Sequence, residues 1–279
     1  MNRVEQIFTS LRQERKRALM PFICGGHPRP GATAQVLPAL QAAGASIVEI
    51  GIPFSDPIAD GPVIAAAMHE ALQRGSTPQS VLDEVRSVRD QVSIGLVAMV
   101  SVSIVHRMGG PAEFVARAAD AGFDGFIFPD APLEESGALL DACRQRGVSA
   151  SLLISPSTPF ARAKEIVAAS TGFVYLLARA GITGERAEAP DIAGRVHKLR
   201  EVGELPIAVG FGISSAAHVR AVTESADAAI VGSALVRRMS EADTPGRDPI
   251  SEAASFVREL CEGLQQRQPS AGQPAVSGA

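Results

Sequence analysis

Apolar residues in this chain come in short unbroken runs, and most runs stop at glycine, proline or a small polar residue. Leu19-Met20-Pro21-Phe22-Ile23-Cys24 halts at Gly25-Gly26, and Ser46-Ile47-Val48-Glu49-Ile50-Gly51 passes into a loop of prolines, Ser55, Asp56 and Asp60. Further runs lie at 94–100, 123–128, 148–154, 172–177, 205–209 and 227–231. Runs of this length, apolar at successive positions, predict strands buried on both faces, as in a parallel sheet. Between them the apolar positions fall at helical spacing, as at Val36, Leu37, Leu40 and Ala43, and glycines such as Gly44, Gly122 and Gly147 close the stretches. Thr77 before Pro78 is a helix start, with the threonine as cap and the proline at the first helical position.

Eight runs alternating with helices predict a closed (β/α)8 TIM barrel. Val4, Ile7, Phe8 and Leu11 at i, i+3, i+4, i+7 add an N-terminal helix before the first strand. A doubly wound open sheet alternates in the same way, but Gly25-Gly26-His27-Pro28 lacks the GxGxxG spacing that such a sheet uses for a dinucleotide. The pattern predicts one domain over 1–267. The stretch 268–279 has no apolar period and predicts a disordered tail.

Composition narrows the classes. Of 279 residues 46% are hydrophobic, the net charge is −4, and there is no tryptophan and one tyrosine, Tyr175. No basic patch or stacking series marks a nucleic-acid surface. Cys24, Cys143 and Cys261 are far apart with no zinc spacing, so no metal site is expected and a reduced, cytoplasmic setting fits. The first residues are too polar for a signal peptide, and no run approaches the ~18 apolar residues of a membrane span.

Chemistry is expected where strands end and βα loops begin, since barrels place their sites there. Glu49 is a carboxylate inside an apolar strand, which is costly unless something pairs or uses it. Asp60 follows on the next loop, so two carboxylates are expected to face one cavity. The competing readings are a structural carboxylate for Glu49 and ordinary Asp-Gly turn chemistry for Asp60, with Asp56 fitting the turn reading best. Gly210-Phe211-Gly212-Ile213-Ser214 and Gly232-Ser233 end the last two strands, and glycine lets backbone N–H groups approach an anion, here a phosphate. A short helix from Ser233 would add its dipole. The loop 178–186 has the length and glycines of a lid, with Gly184 available to the phosphate; a mobile loop without a role is the alternative. Tyr175 and Phe22 either fill the barrel or face the cavity.

Five segments carry a resemblance: EIGIPFSDPIADGP from Glu49, PDAPLEES from Pro129, LLARAGITG from Leu176, GFGIS from Gly210 and VGSALV from Val231. In this order, from about Ile7 to Gly263, the chain resembles the α subunit family of tryptophan synthase. The resemblance implies retro-aldol cleavage of indole-3-glycerol phosphate to indole and glyceraldehyde 3-phosphate. It implies that Glu49 is the acid/base residue and that Asp60 holds the indole N–H. Phe22 and Tyr175 would line the indole pocket, Gly184, Gly212, Gly232 and Ser233 would bind phosphate, and Thr183 would meet Asp60 when the lid closes, with Arg179 beside it. It implies no cofactor in this chain. It also implies a pyridoxal-phosphate-dependent β subunit as partner, in an αββα tetramer, contacted through Pro53, Asp56 and Pro57.

The chain departs from that family after the third strand, where Ser101 and Ser103, followed by His106, replace a usual Tyr and Asn, and at His27, where an Asp is usual. A stand-alone lyase and a non-catalytic, ligand-binding activator of the β subunit are the alternatives left open; paired carboxylates favour catalysis.

Overall fold

A computed structural model of the chain describes residues 1–57, 60–179 and 192–264. Nine parallel strand segments form its sheet: β1 Ala18–Cys24, β2 Ile47–Gly51, β3 Gly95–Met99, β4 Gly125–Ile127, β5 Ser149–Ala150, β6 Leu153–Ile154, β7 Val174–Leu177, β8 Ile207–Gly210 and β9 Ala228–Val231. They are hydrogen-bonded in the order β5-β4-β3-β2-β1-β9-β8-β7-β6. The two ends of that order, β5 and β6, are separated in the chain only by Ser151 and Leu152.

That pair closes the ring. The Ser151 N–H donates to the Phe126 carbonyl at 2.9 Å on one side, and the Tyr175 N–H donates to the Leu152 carbonyl at 3.1 Å on the other. The eight-run barrel is therefore present, with its fifth run broken into two segments. The cause is local: the Ala150 N–H donates to Thr171 Oγ1 at 2.8 Å and the Leu152 N–H to Ser170 Oγ at 3.3 Å, so hydroxyls stand in for the ladder partner until Leu153.

Alternation along each strand sorts residues into two packed layers. Ala18 and Met20 of β1, Ile47 of β2, Val97 of β3, Ile127 of β4, Tyr175 of β7 and Ile230 of β9 share the interior cluster. Val4 and Phe8 of the helix Arg3–Gln13 join it and plug one end, with the Phe8 ring 5.9 Å from Phe173. The other set, including Leu19, Val48, Leu96, Phe126 and Val209, packs outward against the helices. Thr77 caps Pro78–Val88 in a reciprocal box with Ser80, as its sequence predicts.

Two helices lie on the rim where the strands end: Val102–Arg107, absent from the sequence reading, and Ser233–Ala242, begun where that reading starts it. The stretch 133–146 reads as one helix but is a 3₁₀ turn, Leu133–Glu135, followed by Gly137–Arg146. At the opposite rim, carboxylates are structural. Asp124 accepts from the Leu96 N–H at 2.9 Å and from Arg89 at 3.2 Å, and Asp227 accepts from the Ile207 N–H at 2.9 Å and from Arg200 at 2.8 Å. No helix among the described residues is long and apolar enough to cross a membrane.

Candidate active site

Glu49 sits opposite Phe22 on β1 and Val97 on β3, on the face that points into the barrel. Its side chain is wholly buried, and neither carboxylate oxygen has a hydrogen-bond partner. Among the described residues no cation pairs with it, so the structural-carboxylate reading lacks the partner it needs there. Burial alone pushes its carboxyl up to about 8, which makes Glu49 chiefly a neutral acid at pH 7.

Asp60 is half-buried on the loop that leaves β2, its N–H donating to the Pro57 carbonyl at 3.0 Å. Burial raises it too, to about 6, so at pH 7 it is mostly ionised. The two environments thus push two carboxyls to opposite sides of neutrality, the arrangement that assigns acid and base roles. Both act on the Tyr175 phenol: its ionisation is suppressed first by burial, then by the charges of Glu49 and Asp60. The three groups thus share one region of the barrel, within electrostatic reach of one another.

Aromatic rings complete that space, and glycines make room for them. A Cβ on Gly51 would stand 2.6 Å from Phe22 Cζ, and a Cβ on Gly210 would stand 2.3 Å from the Tyr175 hydroxyl oxygen. Gly210 is therefore required by the tyrosine ring, a packing role that the glycine-cluster reading attributed to anion access.

Gly212 and Gly232 behave differently. Phe211 and Gly212 both have positive φ, 82° and 83°, so the chain turns sharply at the end of β8 through a left-handed pair that a non-glycine residue adopts only under strain. Gly232 precedes the helix Ser233–Ala242, whose first turn has no side-chain cap. The nearest atoms to a Cβ on Gly232 would be those of Phe22, at 3.6–3.8 Å, an ordinary contact, so packing does not demand glycine there. Uncapped N–H groups at a helix start, with nothing in the way, make an anion site. Ser233, the first helical residue, is buried beside it.

β1 stands between the two halves, paired with β2 on one side and β9 on the other. Glu49, Asp60, Phe22, Tyr175, Gly212, Gly232 and Ser233 thus come together at one rim. Thr183 and Gly184 lie outside the described residues, as does the tail 268–279.

The sequence reading missed two links. Ser101 Oγ donates to Asp130 at 2.6 Å, and the Val102 N–H donates to the same carboxylate at 3.0 Å, so Asp130 ties the loop after β4 to the helix Val102–Arg107. The buried His27 places Nε2 3.2 Å from Ser240 Oγ and 3.3 Å from Glu70, joining the helix Ser233–Ala242 to the helix Pro62–Gln73 that follows Asp60. A histidine in a Gly-Gly-His-Pro turn carries no periodic signal.

Residues 8–265 match the family model described as tryptophan synthase alpha chain. Relatives of that name include one from Synechococcus sp., 44% identical over 255 residues, covering 91% of this chain and 94% of the relative, and one from Prochlorococcus marinus, 41% identical over 260 residues with 92% and 94% covered. Tryptophan synthase subunit alpha from Legionella pneumophila superposes with a TM-score of 0.87 at 31% identity, covering 95% of this chain and 98% of that one. A chain of tryptophan synthase from M. tuberculosis, in an aminoacrylate-bound form, superposes at 0.83 and 30% identity, with 95% and 100% covered. The eight-run barrel, the rim that gathers Glu49 and Asp60, and these matches together place the chain in the tryptophan synthase alpha chain family.

Proposed function

We propose that this rim cleaves indole-3-glycerol phosphate to indole and glyceraldehyde 3-phosphate, a carbon–carbon lyase reaction in tryptophan biosynthesis. The observation that carries the reading is the pair of carboxyls, Glu49 at about 8 and Asp60 at about 6, on the rim that also holds Gly232 and Ser233. Neutral Glu49 gives its proton to indole C3, and the ring cation that forms is held by the Asp60 carboxylate accepting from the ring N–H. Ionised Glu49 then takes the proton of the hydroxyl on the carbon bonded to C3. That C–C bond breaks, its electrons restore the indole ring, and the hydroxyl carbon becomes the aldehyde.

The other residues position the substrate. Phe22 and Tyr175 line the pocket for the ring, Gly212, Gly232 and Ser233, joined by Gly184, hold the phosphate, and Thr183 meets Asp60 when the lid closes. Proton transfer and charge stabilisation supply the whole reaction, so this chain uses no cofactor and no metal. Family membership supports a tryptophan synthase β subunit as partner, carrying pyridoxal phosphate and assembled as αββα in the cytoplasm, with the loop of Pro53, Asp56 and Pro57 as the contact. Nucleic acid and membrane have no part in it.

The test is indole release from indole-3-glycerol phosphate by the full chain, with and without a β subunit. Cleavage that a β subunit accelerates is the expected result. No cleavage under either condition would overturn the reading, and full turnover that a β subunit leaves unchanged would overturn the partnership.

A further inference from the structure

A cavity of about 280 Å³ opens beside Asp60 at the ends of β2 and β3. Its walls are mostly apolar, with Ile52, Phe54, Met68 and Met99, and its lining includes Asp60 but not Glu49, Phe22 or Tyr175. It adjoins the charge-holding carboxylate without reaching the side chain that moves the proton. Two short side chains, Ser101 and Ser103, stand on its wall. Ser101 is fixed there, its hydroxyl committed to Asp130 at 2.6 Å, while Ser103 is exposed at the mouth.

On the proposed function, Asp60 meets the ring N–H, so the cavity continues from the edge of the indole that carries the nitrogen. We infer that the site accepts indole-3-glycerol phosphates with small apolar substituents on the nitrogen side of the benzo ring, at position 6, one carbon beyond the position beside that edge, and that Ser101 and Ser103 set this tolerance by leaving the wall unfilled. A methyl or chlorine at ring position 6 would enter a pocket of hydrocarbon walls, where removing its surface from water is favourable. Filling the wall removes the space, and an overpacked pocket rejects added atoms steeply.

The experiment compares kcat/KM for the parent substrate and its 6-chloro form within each protein, so a general loss of activity cancels in the ratio. The wild-type ratio is expected within tenfold of one. Ser101→Leu and Ser103→Leu are each expected to shift it at least tenfold against the chloro substrate. Ser101→Ala, which drops the bond to Asp130 without filling space, keeps the wild-type ratio. A wild-type ratio beyond tenfold against the chloro substrate, or Leu variants that leave the ratio unmoved, would overturn the inference. The same ratio is read without turnover from calorimetric Kd values of indole-3-propanol phosphate and its 6-chloro form. A failed lyase reading is therefore distinguishable, because it removes cleavage of the parent while the binding ratio still decides the tolerance.

Discussion

Phe22 and Glu49 are register partners across β1 and β2, an aromatic ring and an unpartnered carboxyl side by side inside the barrel. The apolar neighbour keeps the carboxyl protonated near neutrality, and the same burial makes its ionisation costly to the fold. Glu49→Gln is expected to lower kcat by about 10³, within the usual range for a lost acid/base group, with KM changed only a few-fold. Steady-state kinetics on indole-3-glycerol phosphate check it.

Stability should move the other way in that variant. Glu49's folded value, about 8, lies above its unfolded value near 4.5, so the folded chain holds a proton that the unfolded chain releases between those limits. Its contribution is full below about 4.5 and is lost as pH rises toward 8. Glu49→Gln should therefore gain up to roughly 3 kcal/mol relative to wild type at pH 7 and flatten that slope. Urea midpoints at pH 5, 7 and 8 give the comparison, and parallel curves for the two proteins would refute it.

Activity should be bell-shaped in pH. The working form has Glu49 protonated and Asp60 ionised, so kcat/KM should rise through about 6 and fall through about 8. Asp60→Asn should lose the acid limb along with most of its rate. An acid limb that persists unchanged in that variant would assign it to another group.

Gly232→Ala separates phosphate binding from folding. The new methyl would find its nearest neighbours in Phe22, at ordinary contact distance, so urea stability should change by less than about 1 kcal/mol. KM for the substrate should rise at least tenfold, because the methyl sits where the phosphate approaches the helix start. An unchanged KM would count against the cradle.

His27 should make the fold sensitive to acid. Burial holds its imidazole below the ordinary histidine value; Arg74 pushes the same way, while Glu70 and Asp243 pull against it. The folded chain then binds fewer protons than the unfolded one, so this contribution is present above about 6.5 and is lost as pH falls from there through the lower folded value. Glu49 acts in the opposite direction over the same window. The quantity to measure is therefore the difference between wild type and His27→Gln, which should shrink from pH 7.5 to pH 5.

The barrel was legible because parallel strands buried on both faces must be apolar at successive positions, and each βα unit repeats that signal. Glu49 was legible for the same reason, as the charge that breaks such a run. Val102–Arg107 was not, because six residues give too little period and its cap, Ser101, depends on Asp130 from another loop. The break at Ser151 was hidden because its cause, the hydroxyls of Ser170 and Thr171, lies on the approach to the next strand. Gly210 shows the limit of reading glycine by position: the demand on it comes from the Tyr175 ring one strand away.

The placement of β1 between β2 and β9 has a consequence for how the chain acquires its activity. The carboxylates come from the first quarter of the sequence, and Gly232 and Ser233 from its last fifth. A substrate held at both would span the seam between the chain's beginning and its end, so no partial product of synthesis contains a working site. Ligand binding at that seam would join the two ends of the polypeptide and favour the completed ring over any opened form by mass action.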